Sequence, residues 1–206
     1  MEFDSLSFGG SSNAWLGKLD LSSDDMIVHG GNLANVANVA NQLKAGFNSA
    51  AGYWNGAAGI VSTTAAADTR FLTTVGYRTG GIAFDNVNTT ATDVLVKYTY
   101  YGDADLSGTL DGADYQQIDN GFGLKLTDWS NGDFNYDGVV DGADYALIDN
   151  TFNQLAAGTD PLAIIASAAQ LNAIPTASAA VPEPAEFALL WLASCGALLR
   201  RWRRSK

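Results

Sequence analysis

Residues 102–122 read GDADLSGTLDGADYQQIDNGF and residues 132–152 read GDFNYDGVVDGADYALIDNTF, with 12 of 21 aligned positions identical. What repeats is a set of oxygen donors at fixed spacing. With Asp103 as position 1 of a twelve-residue loop, Asp105, Ser107, Asp111 and Asp114 fall at positions 3, 5, 9 and 12. The second copy places Asp133, Asn135, Asp137, Asp141 and Asp144 at the same positions. Side chains at 1, 3 and 5 converge on one point only if the chain bends sharply after them, and Gly108 and Gly138 at position 6 permit that bend. Position 7 offers its backbone carbonyl, so Thr109 and Val139 are free to differ. Each loop gathers four carboxylates, which repel one another unless a cation sits among them. Asp, Asn and Gly also mark ordinary turns, but two copies in one register favour a hard cation. The expected cofactor is Ca2+, at two sites.

This is the ligand spacing of the EF-hand, with two departures. Position 12 carries Asp in both copies where a bidentate Glu is usual. No clear helix enters either loop, since residues 98–101 (YTYY) lead into the first and residues 128–131 (DWSN) into the second. A calcium loop followed by one helix, duplicated, with Asp at position 12, resembles the type I dockerin family over about residues 102–155. The resemblance implies a non-catalytic module, folded by two calcium ions, that docks into a cohesin domain of another protein. It further implies partner contacts just before position 12, which here are Gly112 and Ala113, repeated as Gly142 and Ala143. These residues offer little side chain for selective contact.

Behind each loop the apolar positions Tyr115, Ile118 and Phe122, or Tyr145, Ile148 and Phe152, recur at spacings of three and four, the signature of a short amphipathic helix. A core of that size in about 55 residues is marginal without disulfides or metal. Cys195 is the only cysteine, so the metal is expected to be required for folding.

At the other end, Pro182, Glu183 and Pro184 precede an apolar run over residues 187–199, followed by Arg200, Arg201, Arg203 and Arg204. The run is short for a bilayer span, which needs about 20 residues. Flanking residues and snorkelling arginines stretch it to a thin transmembrane helix, with the basic end on the cytoplasmic side. This tail closely resembles the PEP-CTERM sorting signal. The resemblance implies export, transient membrane anchoring, and cleavage near residues 182–184 by an exosortase at the cell envelope. Residues 1–10 (MEFDSLSFGG) show neither the basic start nor the apolar core of a secretory signal. The expectation is therefore a mis-started chain or the end of a longer exoprotein.

The first hundred residues read as a small α+β domain. Residues 19–21 and 26–28 suggest short strands around a turn. Asn32 is placed to cap a helix with Leu33, Val36, Ala40, Leu43 and Phe47 on one face. A second helical stretch is expected near residues 64–75, and residues 92–101 (TDVLVKYTYY) alternate as a strand running into loop one. This region is similar to the one that precedes dockerin repeats in large planctomycete surface proteins, a likeness that brings no activity with it.

Catalysis is not expected. His29 is the single histidine, beside two glycines and near Ser22, Ser23 and Asp24, and the glutamates are only Glu2, Glu183 and Glu186. Asp68, Asp85 and Asp93 remain as carboxylates for a sugar cleft, but the domain is small for one. A formal net charge of −11 disfavours nucleic acid, and the eleven acids between Asp103 and Asp149 supply much of it. The sequence thus predicts an α+β domain over 1–100, an all-α duplicated module over 101–156, an Ala-rich helix and linker over 157–180, and a sorting signal with a hydrophobic helix over 181–206. The expected function is calcium-dependent docking or surface assembly, in a setting associated with polysaccharide degradation. Two other readings stay open: a purely structural calcium stalk, or the end of a carbohydrate-active enzyme.

Overall fold

The computed structural model describes residues 1–30, 33–156 and 158, with residues 33 and 34 described for their backbone alone. Among these residues are ten strands, four α-helices and one 3-10 turn, Trp129–Asn131, joined by loops. The largest sheet has four strands, β1 (Glu2–Phe3), β5 (Met26–Val28), β10 (Val94–Tyr100) and β7 (Thr73–Thr79), in that spatial order. β1 runs parallel to β5, and β10 is antiparallel to both neighbours, with Val96 opposite Tyr77 and Tyr98 opposite Val75. Three two-stranded pairs surround it: β2 (Gly10–Ser11) with β3 (Ala14–Trp15), β4 (Lys18–Asp20) with β6 (Gly59–Val61), and β8 (Ala83–Phe84) with β9 (Val87–Asn88).

β10 follows its β-branched and aromatic composition, but it is not half-exposed. Val94, Leu95, Val96, Tyr98, Thr99 and Tyr100 are all buried, so both faces of the strand are covered. Helix α1 (Leu33–Phe47) buries Val39, Leu43 and Phe47. The helix expected near residues 64–75 is a single short turn, α2 (Thr63–Ala67), and β7 begins at Thr73. The carboxylate of Asp68 ends it: Oδ2 accepts from the backbone N–H groups of Leu72 and Thr73 at 3.0 and 2.9 Å, folding the chain back. Beyond it Thr73, Thr74, Val75 and Tyr77 favour the pleated strand over the helix.

The fold class differs from the sequence-based expectation. Residues 101–156 do not form a self-standing all-α module; they belong to a mixed α/β fold. Helices α3 (Gly112–Leu124) and α4 (Gly142–Ala156) follow the loops as expected, but one isoleucine from each, Ile118 and Ile148, is fully buried, which is too little for a core. The remainder comes from the loops and from the segment between the repeats. Leu106, Trp129, Phe134 and Tyr136 join the same apolar cluster as Val75, Tyr77, Phe47 and Trp54. Trp129 lies edge-on to Phe134 with ring centres 4.9 Å apart, and Tyr136 packs edge-on against Trp54 at 5.8 Å.

The described residues belong to one compact unit. The expected linker over 157–180, the hydrophobic helix and the sorting residues Pro182, Glu183, Pro184, Arg200, Arg201, Arg203 and Arg204 lie outside the described residues, apart from residue 158. Among the described residues no helix is long and apolar enough to cross a membrane.

Candidate metal centre

Both loops share the hydrogen bonds that involve positions 6, 9 and 12. In loop one (residues 103–114), Gly108 N–H donates to Asp103 Oδ2 at 2.9 Å, and in loop two (residues 133–144) Gly138 N–H donates to Asp133 Oδ2 at 3.0 Å. Gly108 and Gly138 have φ of 80° and 93°, so position 6 uses the left-handed bend that glycine allows. Position 12 closes the loop. Asp114 Oδ1 accepts from Ala104 N–H at 2.9 Å and Oδ2 from Asp111 N–H at 2.9 Å; Asp144 repeats this with Phe134 at 2.8 Å and Asp141 at 3.0 Å. Position 9 starts the helix, because Asp111 Oδ1 accepts from Ala113 N–H at 2.7 Å and Asp141 Oδ1 from Ala143 N–H at 2.8 Å. With Asp114 reaching back to the N-cap, α3 opens on a capping box.

Asp103, Asp105 and Asp114 meet: one carboxylate oxygen from each lies within 4.8 Å of the others, and among the described residues this is the one group of three acids or other metal-binding side chains so placed. Loop two has Asn135 where loop one has Asp105, so its donor set carries one acid fewer among positions 1, 3 and 12. Ser107 and Thr109 sit exposed at the rim of loop one, their hydroxyls 2.9 Å apart. In loop two, Asn135 Nδ2 donates to Asp137 Oδ2 at 3.0 Å, and Val139 N–H donates to Asp137 Oδ1 at 2.8 Å. Gly112, Ala113, Gly142 and Ala143 are all exposed at the helix starts.

The donor set fits a hard cation on two independent counts. The first is Asp133 Oδ1, which is buried and lacks the close hydrogen bond that Asp103 Oδ1 accepts from Ser107 N–H at 2.9 Å in loop one, the Asp137 N–H lowering its carboxyl only weakly. A bare carboxylate oxygen in that position is costly unless something positive meets it. The second is the electrostatic load. Burial pushes the Asp103 carboxyl up to about 7, against hydrogen bonds from Thr99 and Gly108 that pull it down, and nearby Asp114 raises it further. Burial likewise raises Asp114 and Asp133 to about 6, and raises Asp144. These are acids crowded together and shielded from water, a state that a divalent ion relieves. All donors are oxygens, which suits calcium rather than a thiolate- or imidazole-seeking metal.

Three groups that hold the loops are missing from the ligand-spacing reading. Trp129 Nε1 donates to the carbonyl of Asp103 at 2.8 Å, Arg78 Nη1 donates to the carbonyl of Asp105 at 2.8 Å, and Tyr136 Oη donates to the carbonyl of Val75 at 2.5 Å. The only signal for them in the sequence is the apolar residue at position 4 of both loops, Leu106 and Tyr136. The carboxylates weighed for chemistry have structural partners. Asp68 ends α2, Asp93 accepts from Thr90 N–H at 2.7 Å and Gly30 N–H at 3.2 Å, and Asp85 lies 3.6 Å from Lys97. His29 stands between Glu2 at 3.0 Å and Asp93 at 3.5 Å. Comparison with family models, with curated proteins and with solved structures gives no match.

Proposed function

We propose that this chain is a non-catalytic calcium-binding protein of the cell envelope, whose paired loops each take one Ca2+ and whose helix pair docks a cohesin-like partner. The observation that carries the calcium half is the unpartnered, buried Asp133 Oδ1 inside a loop that shares its position 1, 9 and 12 closing bonds with loop one. When bound, calcium would neutralise the crowded carboxylates. Asp103, Asp105, Ser107, Asp111 and Asp114, with the carbonyl of Thr109, would hold one ion; Asp133, Asn135, Asp137, Asp141 and Asp144, with the carbonyl of Val139, would hold the other. The resemblance to dockerins, and to the PEP-CTERM tail at residues 181–206, supports export, exosortase processing and transient anchoring in the inner membrane.

The surface available for docking is apolar at one end of the helix pair. Phe122 and Val139 are 58% and 55% exposed, and together with Leu126 and Val140 they line a groove of about 610 Å³ flanked by Lys125 and Asp141. Binding of the full chain to purified cohesin domains, in millimolar calcium and again in chelator, tests the proposal. Capture that needs calcium and is lost in Phe122→Asp, with both metal sites intact, is the expected result. Failure to bind any cohesin while both sites fill would remove docking. It would leave the second reading, a structural calcium body, which the burial of Leu106 and Tyr136 against β7 favours.

A further inference from the structure

We infer that strand β7 is the outer support of both calcium loops, so that calcium occupancy and the folding of residues 1–100 are a single linked equilibrium. This rests on the calcium reading above. Four consecutive residues of the strand each meet the loops or the segment between them. Val75 accepts the Tyr136 hydroxyl from loop two. Gly76 lies under the Trp129 indole and Leu106 of loop one, so close that a Cβ there would come within 2.4 Å of Trp129 Nε1 and 2.9 Å of Leu106 Cδ2. Tyr77 donates to Asp128 Oδ1 at 2.9 Å and stacks on Tyr136, the planes 19° apart. Arg78 holds the carbonyl of Asp105.

The logic of the loop explains why these contacts report on the metal. Alternate side chains at positions 1, 3 and 5 turn towards the ion, so the side chain at position 4 turns the other way. Leu106 and Tyr136 are that position in the two copies; both are left-handed, with φ of 61° and 60°, and both are buried, at 4% and 5% exposure. Left-handed backbone at a branched or aromatic residue is unfavourable, and here the packing on β7 holds it. The carbonyls of positions 1 and 3 in loop one are held from outside by Trp129 and Arg78. Whatever fixes the loop from the ion side therefore fixes the same backbone that β7 grips from the other side. The coupling is reciprocal: calcium stabilises the sheet, and loosening β7 weakens calcium. Arg78 acts here as a positioning residue for loop one.

Hydrogen exchange on the full chain, calcium-saturated and chelated, tests the linkage directly. At free calcium 100 times the dissociation constant, amides of β7, β10 and β5 that exchange through global opening should gain protection of roughly a hundredfold per filled site, together with those of the loops. Protection gained in residues 103–144 with none in β7, β10 or β5 would overturn the inference and leave the calcium reading standing. No change in the loops would overturn both. A second arm reads Arg78 by calcium titration in an Asp133→Asn background, where loop one binds alone. Arg78→Met should weaken binding roughly tenfold, the loss of one charge-assisted hydrogen bond, and Arg78→Lys should restore part of it. Unchanged affinity in Arg78→Met would contradict a positioning role.

Discussion

The hydroxyl of Tyr115 on α3 donates to the carboxylate of Asp149 on α4 at 2.7 Å, and thirty residues on, Tyr145 returns the bond to Asp119 at 2.5 Å. The same exchange occurs in the ring contacts. Tyr115 lies edge-on to Phe152 at 5.8 Å, and Phe122 edge-on to Tyr145 at 6.1 Å. The duplication in sequence is therefore a pseudo-twofold in space, and each repeat is completed by the other. Tyr115→Phe and Tyr145→Phe should each lower stability by about 1 kcal/mol, read by urea denaturation at fixed calcium. Equal losses are expected from the two, and a loss in only one would break the symmetry argument.

The cross-bracing extends to the loop entrances. A Cβ on Gly102 would meet Ile148 Cγ1 at 2.5 Å, and one on Gly132 would meet Ile118 Cγ1 at 2.7 Å, so each loop begins against the opposite helix. Both glycines also have positive φ, 99° and 106°. Gly102→Ala and Gly132→Ala should each cost roughly 2 to 4 kcal/mol from overpacking plus backbone strain. Because the loops are crossed in this way, either substitution should unfold both repeats together in one calorimetric transition. The independent loss of one half, which the repeated sequence alone suggests, is not expected. Two separate transitions would contradict the cross-bracing.

The burial-raised acids set the pH response. Asp103 at about 7, and Asp114 and Asp133 at about 6, keep protons in the calcium-free fold that the unfolded chain releases near 3.8. Their contribution to the calcium-free fold is fully present below 3.8 and is lost as pH rises through 6 to 7. Calcium binding needs the same groups deprotonated, so its contribution grows over that window. The gap in melting temperature between calcium-loaded and chelated protein should widen from pH 5 to pH 7.5. A gap that narrows would refute the assignment of these acids as ligands.

Trp129 ties the same core to loop one, and calorimetric calcium titration reads that link. It is fully buried, and its indole N–H is bonded to the Asp103 carbonyl. Trp129→Phe keeps an apolar ring but removes the donor, and should weaken calcium at loop one more than at loop two. Equal weakening at both would mean that the ring matters and the hydrogen bond does not.

How far the sequence carried these conclusions varies with the physics of each element. The loops were legible because their chemistry is local: twelve residues carry the donors, the bend and the helix start. Val94 to Tyr100 was legible as a strand from its alternation, though not its burial on both faces, which depends on what α1 and the loops supply. β7 was hidden because residues 64–75 carry alanines and threonines compatible with a helix until Asp68 folds the chain back. Ligand spacing is silent about position 4, so it does not mark Leu106 and Tyr136 as core residues. The all-α description fails for the same reason: the core residues that the two helices lack sit in the loops and between the repeats, and they pack on β7, outside residues 101–156.

The most direct test of the account is calorimetric calcium titration of the full chain beside Asp103→Asn and Asp133→Asn. Two sites are expected in the parent chain and one in each variant, with the retained site weakened by the loss of its neighbour across the pseudo-twofold. A parent chain that takes up no calcium, or variants that keep both sites, would contradict it.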